Sequence, residues 1–218
     1  MNKEQKQTLT MMKKEFSSLL LAFVLMLGIS PVFAAGSTQT VKDLQDAFTG
    51  ESTAHAKYAA FAKKAKEEGY PKIALLFEAA SRAEKVHAGN HQAALKQLGA
   101  EVPNVNPEFD VKGTRENLKN AIEGESYEVA TMYPNFLKDA SNEKVNIALM
   151  SFNYAFQTEK KHKEMYENAL ASLDNNQVKD MPSLYQVCLV CGNTYAGEGP
   201  ARCGICMTPN ERFVTLKL

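Results

Sequence analysis

The sequence carries no excess of charge of either sign. Its 25 Lys and Arg residues balance 25 Asp and Glu residues over a chain of 218 residues. A protein without surplus positive charge has little attraction for the phosphates of nucleic acids or for an anionic membrane, so neither is expected as a partner. The hydrophobic fraction of 44% and the charged fraction of 23% are ordinary for a soluble globular protein. This composition excludes a collagen, a coiled-coil rod and a disordered tail.

The sequence also lacks an apolar run that suits a permanent membrane span. The apolar run covers only residues 16–29, whereas a helix needs about 20 residues to cross a bilayer. Lys13 and Lys14 precede the run and small residues, including Ala34, follow it, which is the arrangement of a secretory signal. We therefore predict a signal peptide over residues 1–34 and export to the periplasm. If the signal is not used, the protein stays in the cytoplasm.

Cysteine is absent from the chain before Cys188, and all four cysteines follow from there towards the C-terminus. They form two Cys-x-x-Cys pairs, Cys188 with Cys191 and Cys203 with Cys206. Such pairs indicate a tetrahedral tetrathiolate metal site, although an exported protein could instead form two disulfides. A segment of this size cannot build a core unaided, which favours the metal. Iron and zinc both accept four thiolates, so the choice between them stays open.

Helix breakers are scarce between residues 40 and 174, where apolar residues recur at intervals of three and four. This pattern predicts a bundle of four long helices, with the loop at residues 99–113 crossing from one end to the other. Pro134 predicts a kink in the third helix. Residues 175–184 then link the bundle to the cysteine unit at residues 185–218. The predicted helices cover residues 41–68, 72–98, 114–140 and 142–173.

The bundle contains an internal duplication. Glu51 of the first half recurs as Glu125 in the second, and the pair Glu84-x-x-His87 recurs as a second Glu-x-x-His pair. Residues three apart lie on nearly the same face of a helix, so each pair can aim a carboxylate and an imidazole into the bundle. One Glu from each of two helices and Glu-x-x-His from the other two is the ligand set of ferritin-like dinuclear sites, most often di-iron. The predicted metal ligands are Glu51, Glu84, His87, Glu125, Glu159 and His162.

The duplication is unequal at Glu128, because its counterpart in the first half is Ala54. Glu128 lies three residues after Glu125 and is a seventh candidate ligand, with a solvated helical glutamate as the alternative. One metal then has a choice between His87 and Glu128. A carboxylate favours the harder, oxidised ion, whereas imidazole suits the ferrous ion.

Two tyrosines are candidates for supporting roles. Tyr58 lies two helical turns after Glu51, and Tyr133 lies on the third helix, so each is predicted to hydrogen-bond a ligand carboxylate. An ordinary place in the core is the alternative for both. His55 and His91 lack the Glu-x-x-His context and are interpreted as structural or surface residues.

The order of these motifs, ending in the two Cys-x-x-Cys pairs, closely resembles the rubrerythrin family from about residue 40 to the C-terminus. The resemblance implies a mainly α protein: a ferritin-like four-helix bundle with a non-haem di-iron site, followed by a small rubredoxin-like metal-binding β/loop domain. That domain would hold one mononuclear iron on its four cysteines, with zinc as the alternative. The implied activity is an oxidoreductase that reduces hydrogen peroxide to water in oxidative-stress defence. Electrons would reach the di-iron site through the Fe(SCys)4 centre from a reductase or carrier that the sequence does not identify.

The resemblance also implies individual roles. Glu84 and Glu159 would bridge the two irons. Glu51 would be a terminal ligand of one iron, and Glu125 and His162 of the other. The implied catalytic residues are Glu128 and His87, as the exchangeable pair, with Tyr58 and Tyr133 beside the carboxylates. A head-to-tail homodimer is expected, in which the rubredoxin-like domain of one subunit lies close to the di-iron site of the other.

The chain departs from the family pattern at the cysteine turns. Leu189 and Gly204 stand where prolines are usual, and Met207 stands where the second turn usually has glycine. Glycine tolerates positive φ far better than methionine, so we expect a distorted second turn. Two other functions use the same residues. One is a ferritin-like ferroxidase that oxidises Fe²⁺, and the other is a structural C-terminal module built on zinc.

Overall fold

A computed structural model of the chain describes residues 38–218, so the predicted signal peptide lies outside the described residues. Within residues 38–218, no helix is both long and apolar enough to cross a membrane. The helices are α1 (Gln39–Glu67), α2 (Pro71–Gln97), α3 (Thr114–Tyr127), a π-helix (Glu128–Met132), α4 (Tyr133–Asn142) and α5 (Asn146–Asp174), with short 3-10 helices at Val178–Asp180 and Asn210–Arg212. The strands are β1 (Leu184–Cys188), β2 (Thr194–Ala196) and β3 (Phe213–Lys217).

The predicted fold class, a mainly α bundle followed by a small strand unit, is confirmed. The third bundle helix consists of α3, the π-helix and α4 in direct succession. Gly69 and Gly99, with φ of 83° and 68°, close the ends of α1 and α2 as left-handed caps. The predicted start of the fourth helix at residue 142 is wrong. Asn142 ends α4, and Lys144, with φ of 59°, makes the turn before α5 without the glycine that would have marked it.

The kink predicted at Pro134 takes the form of a π-helix. Proline has no N–H to donate to the carbonyl four residues back, and its ring clashes with that carbonyl. The segment Glu128–Met132 avoids the conflict, because the N–H of Tyr133 bonds the carbonyl of Glu128, five residues back. A π-turn holds one residue more than an α-turn and frequently lies at a functional site.

This extra residue explains an irregularity in the duplication. The separation between Tyr58 and Tyr133 along the chain is one residue longer than the separation between Glu51 and Glu125. The change of spacing falls between Glu128 and Tyr133, where the π-helix lies. The inserted residue is therefore absorbed within one helical turn, and Tyr133 keeps a position equivalent to that of Tyr58.

Two apolar clusters form the core of the bundle, one around Tyr58 and Phe77 and the other around Tyr133 and Phe152. The first cluster also contains Tyr185 of β1, so the C-terminal unit completes its core against the bundle. The sheet of that unit is antiparallel with strand order β2-β1-β3. This packing fixes the cysteine turns against the helices that carry the glutamates and histidines.

Candidate metal centres

The four cysteines lie at one point. Their Sγ atoms are all within 4.8 Å of one another. Cys188 and Cys206 are 3.5 Å apart and Cys191 and Cys203 are 3.4 Å apart, well beyond the S–S bond length of about 2.05 Å. All four cysteines are free, so the alternative of two disulfides is not what the structure has. The cluster suits a rubredoxin-like metal site.

The two cysteine turns have the same form. The N–H of Gly192 bonds the carbonyl of Cys188 at 2.9 Å, and the N–H of Met207 bonds the carbonyl of Cys203 at 3.0 Å. Gly192 has φ of 81° and Met207 has φ of 61°. The expected distortion of the second turn is therefore absent. Met207 adopts the left-handed conformation instead, at a strain of roughly 1–2 kcal/mol.

The six glutamates and histidines of the duplication meet inside the bundle. Their ligand atoms form two groups, each within 4.8 Å, and Glu84 and Glu159 belong to both. The first group adds Glu51 and His87, and the second adds Glu125 and His162. Because two carboxylates are shared and each group has one further carboxylate and one imidazole, the arrangement suits two metal ions side by side, as in a di-iron site.

Many polar atoms of these groups have no hydrogen-bond partner although they are buried. A buried polar atom without a partner costs about 1–3 kcal/mol, and metal ions would offset that cost. Oε2 of Glu51 and Oε2 of Glu125 have no hydrogen-bond partner. Oε1 of Glu84, both carboxylate oxygens of Glu159 and Nδ1 of His162 make no well-aligned hydrogen bond either, although each lies within ion-pair distance of a neighbouring histidine or carboxylate.

Both histidines present the same ring atom to the carboxylates. Nδ1 of His87 lies 2.8 Å from Glu84 and from Glu159, and Nδ1 of His162 lies 2.7 Å from Glu159. Nε2 of His162 lies 2.9 Å from the hydroxyl of Thr194, on the C-terminal unit. Hydrogen bonds at Nε2 leave Nδ1 as the ligand atom, the usual arrangement for an imidazole that binds a metal.

The electrostatics of the site also favour bound cations. Burial raises the pKa values of Glu51 and Glu125 well above their usual range, and neighbouring carboxylates raise them further. Burial opposes the charge on His162, but Glu84 and Glu159 outweigh it and raise its pKa to about 9. Burial likewise acts to raise the pKa of Glu84, but His162 and His87 lower it to about 2. A buried anionic cluster of this kind is stabilised by bound metal ions.

The predicted tyrosine contacts are present and reciprocal. Tyr58 of α1 donates a hydrogen bond to Glu125 of α3 at 2.7 Å. Tyr133 of α4 donates one to Glu51 of α1. Each tyrosine is buried in a different apolar cluster, so each connects the core to one terminal carboxylate.

Glu128 is placed differently from the other six candidates. It is half-buried, begins the π-helix and belongs to neither ligand group. It lies close enough that its charge, after burial, is the largest cause that raises the pKa of Glu51. The structure thus has His87 inside the first ligand group and Glu128 beside it.

Two other histidines have defined partners. His55 is half-buried and binds the carbonyl and hydroxyl of Ser81 at 2.8 and 2.9 Å, which joins α1 to α2. His91 is fully buried and contacts Ser151 and Tyr133. The sequence interpretation missed the contact of His91 with Tyr133. The only sequence feature that indicates it is the position of His91 one turn beyond His87 on the same face.

The two candidate metal centres lie next to each other within one chain. Nε2 of His87 lies 3.1 Å from the carbonyl oxygen of Cys191. Asn90 donates a hydrogen bond to the carbonyl of Val190 at 2.9 Å, and Lys161 donates one to Asn193 at 2.6 Å. The proximity that the resemblance implied between two subunits is therefore present inside a single subunit.

Comparisons with known proteins agree with these centres. The rubrerythrin family model matches residues 42–170. Nigerythrin from Nitratidesulfovibrio vulgaris is 37% identical over 182 residues, which cover 83% of this chain and 87% of the relative. Rubrerythrin-2 from Clostridium acetobutylicum is 33% identical over 178 residues, which cover 81% of this chain and 96% of the relative.

Solved structures give the same result. A fully reduced, all-ferrous nigerythrin superimposes with a TM-score of 0.72 at 34% identity, over 84% of this chain and 91% of that one. Bacterioferritin BfrA from Mycobacterium tuberculosis superimposes with a TM-score of 0.58 at 20% identity, over 64% of this chain and 89% of that one. The second likeness is one of fold alone.

Proposed function

This chain belongs to the rubrerythrin family, and from that premise we propose that it reduces hydrogen peroxide to water with electrons passed on from its four-cysteine iron centre. More broadly, it is a di-iron, ferritin-like oxidoreductase of oxidative-stress defence. The observation that carries the finer proposal is the hydrogen bond between His87 and the carbonyl of Cys191, at 3.1 Å. It joins a candidate ligand of one centre to the backbone of a candidate ligand of the other.

The residues that would hold the metals follow from the two ligand groups. Glu84 and Glu159 would be shared, Glu51 and His87 would complete one iron site, and Glu125 and His162 would complete the other. A bound di-iron pair would supply the two electrons that reduce peroxide to two water molecules, and the reaction also consumes two protons.

The protein contributes position and exclusion of water. The apolar clusters around Tyr58 and Tyr133 shield the site from solvent, and the two hydroxyls hold the terminal carboxylates. The Nε2 atoms of His87 and His162 are tied to the C-terminal unit, which keeps each Nδ1 aimed at the carboxylates. Fixed ligands and low solvent access set the redox properties of such a site.

His87 and Glu128 are proposed as alternative ligands of one iron. His87 occupies the first ligand group, and Glu128 lies at its edge on the π-helix. Imidazole suits the ferrous state and carboxylate the ferric state, so oxidation would favour Glu128.

The test begins with the iron-loaded protein, fully reduced without oxygen. It is mixed rapidly with one equivalent of hydrogen peroxide while the visible charge-transfer absorption of ferric tetrathiolate is followed. Fast appearance of this absorption, well ahead of its rate with oxygen, supports the peroxidase and the relay. Faster oxidation of added Fe²⁺ than of the cysteine iron would favour the ferroxidase, and zinc on the cysteines would remove the relay.

The location and the assembly of the protein belong to its function as well. We propose export to the periplasm, supported by the N-terminal sequence before residue 35. Fractionation of cells that produce the full chain, with and without residues 1–34, tests this location. We also propose a homodimer, as the resemblance implies, which sedimentation of the iron-loaded protein tests.

A further inference from the structure

The duplication places equivalent phenylalanines around the two tyrosines. Tyr58 and Tyr133 are equivalent, and the phenylalanines that flank them are related by the same offset along the chain. The ring centroids of Tyr58 lie 6.0 Å from Phe77 and 6.2 Å from Phe61, and those of Tyr133 lie 6.2 Å from Phe152 and 6.3 Å from Phe136. These two phenylalanines therefore repeat around each tyrosine, and Tyr133 has in addition Phe156 at 6.5 Å, where the first half has Ser81.

The difference lies behind the tyrosines. Tyr166 packs against Tyr58 with a centroid distance of 5.4 Å, and its equivalent beside Tyr133 is His91, at 6.2 Å. Ser151 stands where the first half has the buried Leu76. On the Tyr58 side, Leu76 and Tyr166 form an apolar and aromatic pair, and on the Tyr133 side Ser151 and His91 replace them with a polar pair.

The polar pair forms a chain of hydrogen bonds with a fixed direction. Tyr133 donates to Glu51, so its oxygen accepts from His91, whose Nε2 lies 3.2 Å away. A neutral imidazole that donates at Nε2 accepts at Nδ1, which lies 2.8 Å from the hydroxyl of Ser151. Burial, and then the charge of His87, lower the pKa of His91 to about 3, which agrees with a neutral ring.

We propose that His91, held by Ser151, is a positioning residue that fixes the hydroxyl of Tyr133 on Glu51. The N–H group of His91 donates a hydrogen bond to the oxygen of Tyr133. The proton of the tyrosine hydroxyl therefore points to the carboxylate. Tyr58 has no such support, because the hydroxyl of Tyr166 has no hydrogen-bond partner. The Glu51 end of the site is therefore more firmly held than the Glu125 end.

A second asymmetry falls on the same metal position. Glu51 shares its ligand group with His87, the residue proposed to exchange with Glu128, and the first half has Ala54 in place of Glu128. A terminal carboxylate that stays fixed while another ligand changes would keep that iron in place. The inference rests on the di-iron site and is independent of whether peroxide is the substrate.

The first test is the protonation state of His91 in the full chain, with diamagnetic zinc bound so that Glu51 is ionised. Nuclear magnetic resonance of ¹⁵N-labelled histidines at pH 7 is expected to show a neutral ring with the proton on Nε2 and an acceptor at Nδ1. In Ser151→Ala, the Nδ1 resonance should shift because the donated hydrogen bond is lost. A protonated ring, or a proton on Nδ1 alone, would overturn the proposal.

The second test is anaerobic titration with Fe²⁺ alone, followed by Mössbauer spectroscopy of the ⁵⁷Fe-loaded protein. His91→Phe is expected to lower the affinity for one of the two Fe²⁺ ions in the bundle by about tenfold. Only one ferrous doublet should change. His91→Gln keeps a hydrogen-bond donor and should restore part of the affinity. This recovery distinguishes loss of the donor from misfolding of the bundle. Tyr166→Phe, at the equivalent position, is the control and should leave that iron unchanged. Equal affinities and unchanged doublets in His91→Phe would refute the positioning role, whatever the rate with peroxide.

Discussion

Nε2 of His87 lies 3.1 Å from the carbonyl oxygen of Cys191, so the two candidate metal centres are joined by one hydrogen bond. His87 belongs to the helix that carries Glu84, and Cys191 belongs to the first cysteine turn. The contact is supported on the same helix by Asn90, which binds the neighbouring carbonyl of Val190. A short path between the centres therefore exists within one chain.

Gly192→Ala should break this path. A Cβ atom at Gly192 would lie 2.6 Å from Cδ2 of His87 and closer still to its Nε2, and the φ of 81° disfavours any side chain there. We expect both centres to bind iron, but transfer of electrons from the cysteine iron to slow by about 10- to 100-fold, the usual effect of losing a hydrogen bond that orients a metal-binding histidine. Stopped-flow absorption of the ferric tetrathiolate measures this rate.

Gly204→Ala is the matched control, since it lies in the second cysteine turn. The nearest atom to its Cβ would be the hydroxyl oxygen of Tyr195, at 3.7 Å, and its φ is not left-handed. This variant should transfer electrons at the rate of the unaltered protein. Equal rates in both variants would show that the His87 contact does not matter for the relay.

A mixing experiment distinguishes a relay within one chain from a relay between subunits. Cys203→Ser removes one thiolate and leaves the bundle intact, whereas Glu159→Ala removes a shared carboxylate and leaves the cysteines intact. Because the contact between the centres is made inside one chain, refolded mixtures of the two variants should be no more active than the separate proteins. Peroxide turnover with an external electron donor is the measurement. Partial recovery of activity would instead indicate a relay across a dimer, as the resemblance implies.

Much of the bundle could be predicted from the sequence, because helix periodicity and the Glu-x-x-His spacing are local properties. All six buried glutamates and histidines of the duplication, and both tyrosines, meet where the spacing places them. The turn at Lys144 could not be predicted, because it adopts positive φ without glycine or asparagine. At Met207 the sequence predicted a distorted turn, but the turn keeps its hydrogen bond to the carbonyl of Cys203 and Met207 adopts positive φ.

The π-helix and the contacts of His91 could not be predicted from the sequence, for a different reason. The offset between the two halves grows by one residue after Glu128, which is visible in the sequence, but only the structure shows that one turn of the third helix absorbs it. His91 lacks a recognisable motif, and its role depends on Ser151 and Tyr133, which are far from it along the chain. Contacts of such long range are not encoded in local patterns.

Glu128→Ala should slow turnover more than it weakens metal binding. The six other candidate ligands remain, and Glu128 lies outside both ligand groups, so the ferrous protein should bind both irons. Loss of the carboxylate that favours the oxidised state is expected to lower the rate of peroxide reduction by about 10- to 100-fold. Single-turnover kinetics and anaerobic Fe²⁺ titration give the two quantities. Glu123→Ala, an exposed residue of α3, is the control, and a rate in Glu128→Ala equal to that of the control would refute ligand exchange.

The ends of the bundle show the same reciprocity as the tyrosines. Glu68, at the end of α1, accepts hydrogen bonds from the N–H and hydroxyl of Thr114, at the start of α3, at 2.8 and 2.6 Å. Glu143, at the end of α4, accepts hydrogen bonds from the N–H groups of Gln39 and Thr40, at the start of α1, at 3.0 and 3.1 Å. Each carboxylate satisfies backbone donors that a helix start leaves unpaired and lies at its positive end.

Removal of both charges should make the stability of the protein less dependent on pH in acid. The hydrogen bonds from Thr114 lower the pKa of Glu68 below its usual 4.5. For Glu143, the hydrogen bonds from Thr38, Gln39 and Thr40 together outweigh burial and lower its pKa. Because the folded pKa values lie below the unfolded ones, this stabilisation is complete above about pH 4.5 and is lost as the pH falls through the folded values.

The double variant Glu68→Gln, Glu143→Gln should therefore lose about 0.5–1 kcal/mol of unfolding free energy at pH 7, a small value because both groups are exposed. Urea unfolding at fixed metal loading, followed by helical circular dichroism, should show the gap to the unaltered protein closing as the pH falls below about 4.5, the usual glutamate value. Glu123→Gln serves as the control for loss of an exposed charge, and a gap that stays constant over this range would mean that the two carboxylates do not cap the helices.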